Sequence, residues 1–233
     1  HGGGVVGVYG EDVVLDAFAR FGYPQDEARR FANDGCWETQ VPGKTMFSYI
    51  PFDGYALLQN ETLHVREGAP ARFDTFAQLY DFYIARIADR VRGICGGANA
   101  LLDAYIRQNG KATSVVSLFM EDCIEKARGY YDMGARYTII APHFGGFADS
   151  VNALCAIRQI VYEKRMCALD ELVAILRDNW QGHEELRRYA LERISYYGND
   201  EDEADILAVR LLKDFTEICE SIPEESGVRF AAG

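Results

Sequence analysis

No run of eighteen apolar residues occurs in the sequence, and no basic stretch leading into an apolar one stands near its start. The first absence excludes a membrane-spanning helix and the second argues against a secretory leader, so the expected compartment is the cytoplasm. Cationic residues are scarce: 24 Lys and Arg stand against 36 Asp and Glu, for a net charge of -12. A nucleic-acid backbone or an anionic membrane needs a basic surface, so neither is the expected partner and a small molecule is. The six cysteines, at 36, 95, 123, 155, 167 and 219, contain no C-x-x-C pair, which leaves neither a zinc spacing nor a disulfide framework. They read mostly as buried free thiols. Without secretion the Asn60-Glu61-Thr62 sequon has no use. There is also no internal repeat and no low-complexity linker.

What is present is an ordinary globular composition, 48% hydrophobic with 13 Phe, 14 Tyr and 2 Trp, and 26% charged. A chain of this size buries roughly 70% of its unfolded surface and fits one large domain or two small ones. Val13, Val14, Ala17 and Phe18 recur at helical spacing until Gly22, and a short helix is expected after Pro24, ending before Cys36. Residues 41–72, with three Pro and several Gly, read as ordered loop. A long helix is expected from about Thr75 to Gln108, with "GICGGANA" as the place where it would break. The chain then alternates: strand at 112–120, helix at 121–134 stopped by Gly134, strand at 136–142, and a helix capped by Asp149 or Ser150. Val151, Leu154, Ile157 and Val161 form that helix's inner side, and three more helices are expected between Ala168 and Glu220. Such alternation implies an α/β fold with parallel strands and crossover helices.

Several short motifs fail on their context. "GGGVVG" (2–7) has dinucleotide-loop spacing, but only His1 precedes it where a strand is required. "HGGG" has the form of an oxyanion loop, yet no G-x-S-x-G elbow exists in the chain. "GNDEDEAD" (198–205) lacks the glycine and distal glutamate of a calcium loop and reads as an acidic helix start. His183 has no second His four residues on, which excludes a zincin motif. "HFGG" (143–146), between a strand and a helix, is either a tight turn or a cradle for an anion.

"NDGCWETQVPGKT" (33–45) sets Cys36 two positions before Glu38 in a segment too rich in Gly, Asn, Asp and Pro to be a helix interior. The ordinary reading is a buried cysteine with Glu38 facing water. An ionic nucleophile would need a neighbouring His or Arg, and no protease signature surrounds the four His at 1, 64, 143 and 183. The other use of a thiol is homolytic: a neutral S–H gives up a hydrogen atom and takes one back, with a base at hand for the neighbouring proton. C-x-E supplies both groups.

These residues resemble a known family, the glycyl radical enzymes or pyruvate formate-lyase-like proteins. "GCWETQVPGK" is similar to the family's G-C-V-E cysteine loop, and "SLFMEDCIEKARGYYDMGARY" to the segment leading to its G-G-A-x-Y turn. "GGFADSVNALCAIRQIVYEKRMCALDELVAILRDNWQG" resembles the next loop and helices, and "YYGNDEDEAD" the Y-G-N-D stretch. Gly35 stands where pyruvate formate-lyase has the first of paired cysteines, so pyruvate cleavage is not expected. Trp37 replaces the usual aliphatic, and Thr39 the proline common in diol and choline lyases.

The resemblance implies a ten-stranded α/β barrel made of two five-stranded halves. Residues 1–233 would be a fragment from its second half-barrel region, predominantly helical by residue count. It implies Cys36 as hydrogen-atom shuttle and Glu38 as base, and the strand-end residues His143 and Phe144 are the expected cavity wall. The leading expectation is an eliminating lyase, such as a dehydratase of a small polyol. An arylacetate-type decarboxylase is the alternative, and a binding or scaffold module that has lost the chemistry is another. No R-V-S-G-Y-like loop is present, so the glycyl radical domain is expected to lie outside this chain, which alone would be inactive. No cofactor is expected on it. The implied partners are the missing barrel and radical segments and a radical S-adenosylmethionine activating enzyme in an anaerobic cytoplasm. A homo-oligomer is expected for the complete protein. Apolar faces left open by the missing segments should make the piece prone to self-association.

Overall fold

The computed structural model describes residues 10–34, 38–67, 72–109, 115–224 and 227–233. Helix α1 (Glu11–Arg20) buries Val14 and Phe18, with Glu11 and Asp12 in its first turn and Arg20 in its last, the distribution that suits the helix dipole. Helix α2 (Gln25–Ala28) follows Pro24 as expected. A short antiparallel hairpin comes next, β1 (Ala32–Asp34) and β2 (Glu38–Gln40), in which Asp34 stands opposite Glu38. Strand β3 (Thr45–Asp53) leads into α3 (Gly54–Ala56), whose Ala56 N–H donates to Asp53 Oδ1 at 2.8 Å, and a π-helical turn at Leu57–Thr62. Helix α4 (Phe76–Asn109) runs unbroken through "GICGGANA". Then come β4 (Tyr137–Gly145), α5 (Phe147–Ile157), a second π-helical turn at Arg158–Glu163, α6 (Leu169–Arg177), α7 (Glu184–Glu192), α8 (Asp202–Glu220) and β5 (Val228–Phe230).

The main sheet has the order β3-β4-β5 with both pairs parallel. Parallel neighbours need long crossovers, here α4 between β3 and β4 and α5 to α8 between β4 and β5. The expected alternation of parallel strands and helices is therefore present, but the strand before α4 supplies what 112–120 was expected to supply. Residues 41–72 are not simply loop: β3 lies among them, and Pro51 is tolerated because β3 pairs on one side only among the described residues. Residues 115–119 form a 3-10 turn, with Ser117 buried and its Oγ accepting the Tyr130 N–H at 2.9 Å. The helix expected over 121–134 is a chain of turns with left-handed backbone at Asp122, Ala127 and Met133, in which the Arg128 N–H bonds Cys123 O and the Gly134 N–H bonds Gly129 O. Helix α5 starts earlier than its expected caps, at Gly146, whose φ of 71° is a conformation glycine adopts without strain. Among the described residues the main sheet has three strands, and with the helices that pack on it the chain is α/β and rich in helix.

Side chains alternate across the sheet. Met46, Phe52, Ile140 and Phe144 face the large core, built with Tyr83 and Ile87 of α4, Leu154 of α5 and Leu211 and Phe215 of α8. On the other face, α1 and α2 bring Val14, Phe18 and Ala28 together with Tyr23, Val41 and Tyr137 in a smaller cluster. That cluster covers only part of the face.

Candidate active site

Beyond the small cluster, the same sheet face opens into a cavity of about 350 Å³ with Phe18, Phe21, Phe47, Ile139 and Ala141 as apolar walls. Glu38 and His143 supply two of its polar groups. His143 lies near the C-terminal end of β4, opposite Pro51 of β3, the end at which ligands bind in parallel α/β sheets. β2 delivers Glu38 to the same place with its side chain only 12% exposed, so the carboxylate faces the cavity and not bulk water. Glu38 Oε1 stands 4.0 Å from His143 Nδ1, beyond hydrogen-bond range. The Nδ1 atom is buried and has no hydrogen-bond partner among the described residues. Tyr49 sits beside the imidazole with ring centroids 5.5 Å apart.

Of the four residues singled out in the sequence, two are brought together: Glu38 and His143. Phe144 points to the opposite face of β4, where its ring meets Phe52, Phe147 and Phe215 at 5.2, 5.7 and 5.3 Å. It is a core residue, because one step along a strand reverses the side chain. Cys36 lies outside the described residues, as do Gly35 and Trp37. Phe47, a wall of the cavity, and Tyr49, beside His143, are not marked by any motif; their signal is the alternation of Thr45, Phe47 and Tyr49 within a segment whose Pro and Gly read as loop.

The remaining motifs resolve simply. At "HFGG", a Cβ on Gly146 would stand 3.4 Å from Asp53 Oδ1, so a carboxylate already occupies the approach to the α5 N-terminus and the anion cradle is not supported. "GNDEDEAD" is the acidic start of α8, with Asp202, Glu203 and Asp205 in the first turn. Burial pushes the thiols of Cys95 and Cys167 up to about 11 and that of Cys219 to about 12, so these are neutral core groups. Among the described residues no group of three His, Cys, Asp or Glu is disposed to hold a metal, and no helix is long and apolar enough to cross a membrane.

At the opposite end of the sheet a second polar cluster ties the strands together. Buried Glu27 accepts from Lys44 Nζ at 2.9 Å, Arg136 at 2.6 Å and the Tyr137 hydroxyl at 2.8 Å, and Lys44 also reaches Glu121 at 3.0 Å. Burial by itself would raise the Glu27 carboxyl, but the hydrogen bonds from Lys44 and Tyr137 outweigh it and hold the group below its ordinary value. Hydrogen bonds to Glu27 and Glu121 hold Lys44 above its own. Each of these charges is matched, which makes the cluster structural.

The chain resembles known proteins in both sequence and fold. The chain is 28% identical over 83% of its length to (2S)-3-sulfopropanediol dehydratase of Klebsiella oxytoca, and the match covers 25% of that enzyme. A solved structure concerning 1,2-propanediol dehydration in Roseburia inulinivorans superposes with a TM-score of 0.81 at 25% identity, over 96% of this chain and 30% of that one. The fold is shared as well with the glycerol-bound B12-independent glycerol dehydratase from Clostridium butyricum, at a TM-score of 0.81 and 24% identity, over 96% of this chain and 29% of that one. The chain thus spans about a quarter to a third of the length of the relatives it matches. A family model, pyruvate formate lyase-like, matches residues 1–233, and the chain belongs to that family.

Proposed function

We propose that this chain supplies the hydrogen-transfer loop of a glycyl radical lyase that eliminates water from a small hydroxylated substrate. Cys36 exchanges the hydrogen atom and Glu38 the proton. The observation that carries the reading is the Glu38 carboxylate, turned into a largely apolar cavity at the C-terminal end of the parallel strands. Cys36 stands two positions before Glu38 in the sequence, which keeps the thiol and the base on one stretch of chain.

The bonds balance as follows. The Cys36 thiyl takes a hydrogen atom from a substrate carbon, so a C–H bond breaks and an S–H bond forms. The hydroxyl on that carbon passes its proton to Glu38, and the neighbouring carbon releases its hydroxyl, which takes that proton from Glu38 and leaves as water, so the carboxylate is restored. The product radical then recovers a hydrogen atom from Cys36. The unpaired electron comes from a glycyl radical on a segment outside this chain, installed by a radical S-adenosylmethionine activating enzyme, in an anaerobic cytoplasm. This chain's own share is positioning, proton transfer and exclusion of water. The dehydratase names of its relatives support elimination over arylacetate decarboxylation.

The test uses the full-length protein containing this chain, activated anaerobically and offered propane-1,2-diol, glycerol and arylacetates. A diol should give an aldehyde and water. Cys36→Ala, Cys36→Ser and Glu38→Gln should abolish turnover while Cys219→Ala keeps it, and the 233-residue chain alone should be inactive. Turnover surviving in either Cys36 variant, or carbon dioxide released from an arylacetate, would overturn the reading.

A further inference from the structure

Among the described residues β1 and β2 pair only with each other, so the hairpin that delivers Glu38 has no ladder bond to the main sheet. A lone two-stranded hairpin is marginally stable in water, and its aim has to be fixed at its two roots. Glu27 of α2 lies at one root, before β1, and Lys44 lies at the other, after β2. They meet: Lys44 Nζ is 2.9 Å from Glu27 Oε1, with side chains only 11% and 10% exposed. The pair therefore closes the base of residues 28–43, which contain Cys36 and Glu38. Ala28 and Val41, just inside it, are buried in the small apolar cluster. Around the pair, Arg136 and the Tyr137 hydroxyl bond Glu27, the Tyr137 N–H donates to Lys44 O at 3.0 Å, and the Glu121 N–H donates to Gly43 O at 2.7 Å. Both roots are thereby tied to the start of β4, whose other end carries His143.

We propose that the Glu27–Lys44 pair is a clamp that aims the hydrogen-transfer loop, so that Glu27 and Lys44 are positioning residues for the thiol and the base. The inference rests on the proposed elimination, since it takes Cys36 and Glu38 as the reacting groups. No bond is made or broken at the clamp, which acts through geometry. A shift of about 1 Å in a reacting group can cost about 100-fold in rate. A buried pair suits this task because water competes little for its hydrogen bonds. Each charge also has a further partner: Lys44 reaches Glu121 at 3.0 Å, and Glu27 has Arg136 at 2.6 Å. Lys44→Met therefore opens the clamp without stranding a charge, since Glu27 keeps Arg136 and the Tyr137 hydroxyl, and Glu121 keeps Arg136.

Two measurements on the full-length protein test it. In the unactivated protein, hydrogen exchange read by mass spectrometry should show the β1 and β2 amides of Lys44→Met exchanging about 10-fold faster than the parent's, with those of α4 unchanged. Tyr137→Phe removes one donor to Glu27 and leaves the ion pair, so it should move the same amides in the same direction by less, and it decides the matter if Lys44→Met does not fold. Exchange unchanged in the hairpin, or raised equally in α4, overturns the clamp. In the activated protein with propane-1,2-diol, Lys44→Met should lower kcat per glycyl radical, counted by electron paramagnetic resonance, about 100-fold with KM moved far less. Lys44→Arg, which keeps the cation, should recover part of the loss. Tyr80→Phe is the control for stability: it removes the 2.6 Å bond to Asp214 between α4 and α8, and should lower the thermal midpoint while leaving kcat per radical alone. An equal loss of kcat in Tyr80→Phe would make the effect general destabilisation and overturn the clamp. Turnover kept in Cys36→Ala removes the reading beneath; turnover lost there but kept in Lys44→Met removes the clamp alone.

Discussion

Gly54 shows how tightly single residues are specified behind the site. A Cβ added there would stand 1.8 Å from Phe144 Cε2, inside a ring that Phe52, Phe147 and Phe215 already hold on other sides. The Tyr83 hydroxyl also donates to Gly54 O at 2.9 Å, so the backbone cannot easily retreat. Overpacking of this kind costs about 1–3 kcal/mol or more. Gly54→Ala should therefore lower the thermal midpoint of the full-length protein, and Phe144→Leu should rescue part of that loss in the double variant, a coupling that additive sites do not show. Equal, additive losses from the two substitutions would mean that the ring is not what excludes the methyl. Because Phe144 forms that wall, β4 is fixed in register and the next residue back, His143, is fixed on the cavity side.

The elements differed in how far they could be read from sequence, and the reasons are physical. Helix α4 and helices α6 to α8 announce themselves by apolar spacing, and β4 by its run of β-branched residues. β3 was hidden because Pro42, Gly43, Pro51 and Gly54 bracket or interrupt it, and only its pairing with β4 explains why the chain is extended there. The apolar run at 115–119 has strand propensity but finds no strand partner among the described residues, so tertiary context sets its conformation. Glu38 was legible from its distance to Cys36. Its meeting with His143 was not, because that depends on which β4 residues share a face with the cavity. The Glu27 cluster, too, joins α2 to the starts of β3 and β4 in a way no local pattern encodes. Its pH behaviour follows from the directions of the two shifts. Glu27 is lowered from 4.5, so its contribution is complete above that value and is lost as pH falls through the lowered one. Lys44 is raised from 10.5, so its contribution is complete below that value and is lost as pH rises through the raised one. Glu27→Gln should cost about 2 kcal/mol near neutral pH, between the values for exposed and buried pairs. The difference from the parent should shrink in acid, below the lowered value. A difference in thermal midpoint that is the same in acid as at neutrality would remove charge as the cause.

At the scale of the whole molecule, the two faces of the helical layer are unequal. Helix α8 turns Leu207, Leu211 and Phe215 into the core but carries a second apolar row, Ile206, Val209 and Leu212, on the outside, where Ile206 is 68% exposed. Leu118 and Phe119 are exposed beside the start of β3, Phe119 at 76%. Apolar residues grouped in this way differ from single surface leucines, because adjoining side chains form a patch that water covers at a cost. The 233-residue chain should therefore self-associate with rising concentration in analytical ultracentrifugation, and the pair Ile206→Glu and Val209→Lys, or Phe119→Lys, should shift it toward monomer. The full-length protein distinguishes two causes for these rows. If the rest of the longer protein covers them, the same substitutions should lower its thermal midpoint, since they would bury a charge without a partner. If they are open surface there too, the midpoint should not move, and the rows would then be contact surfaces between molecules rather than within one. A chain that stays monomeric at every concentration would show that neither row is large enough to drive association.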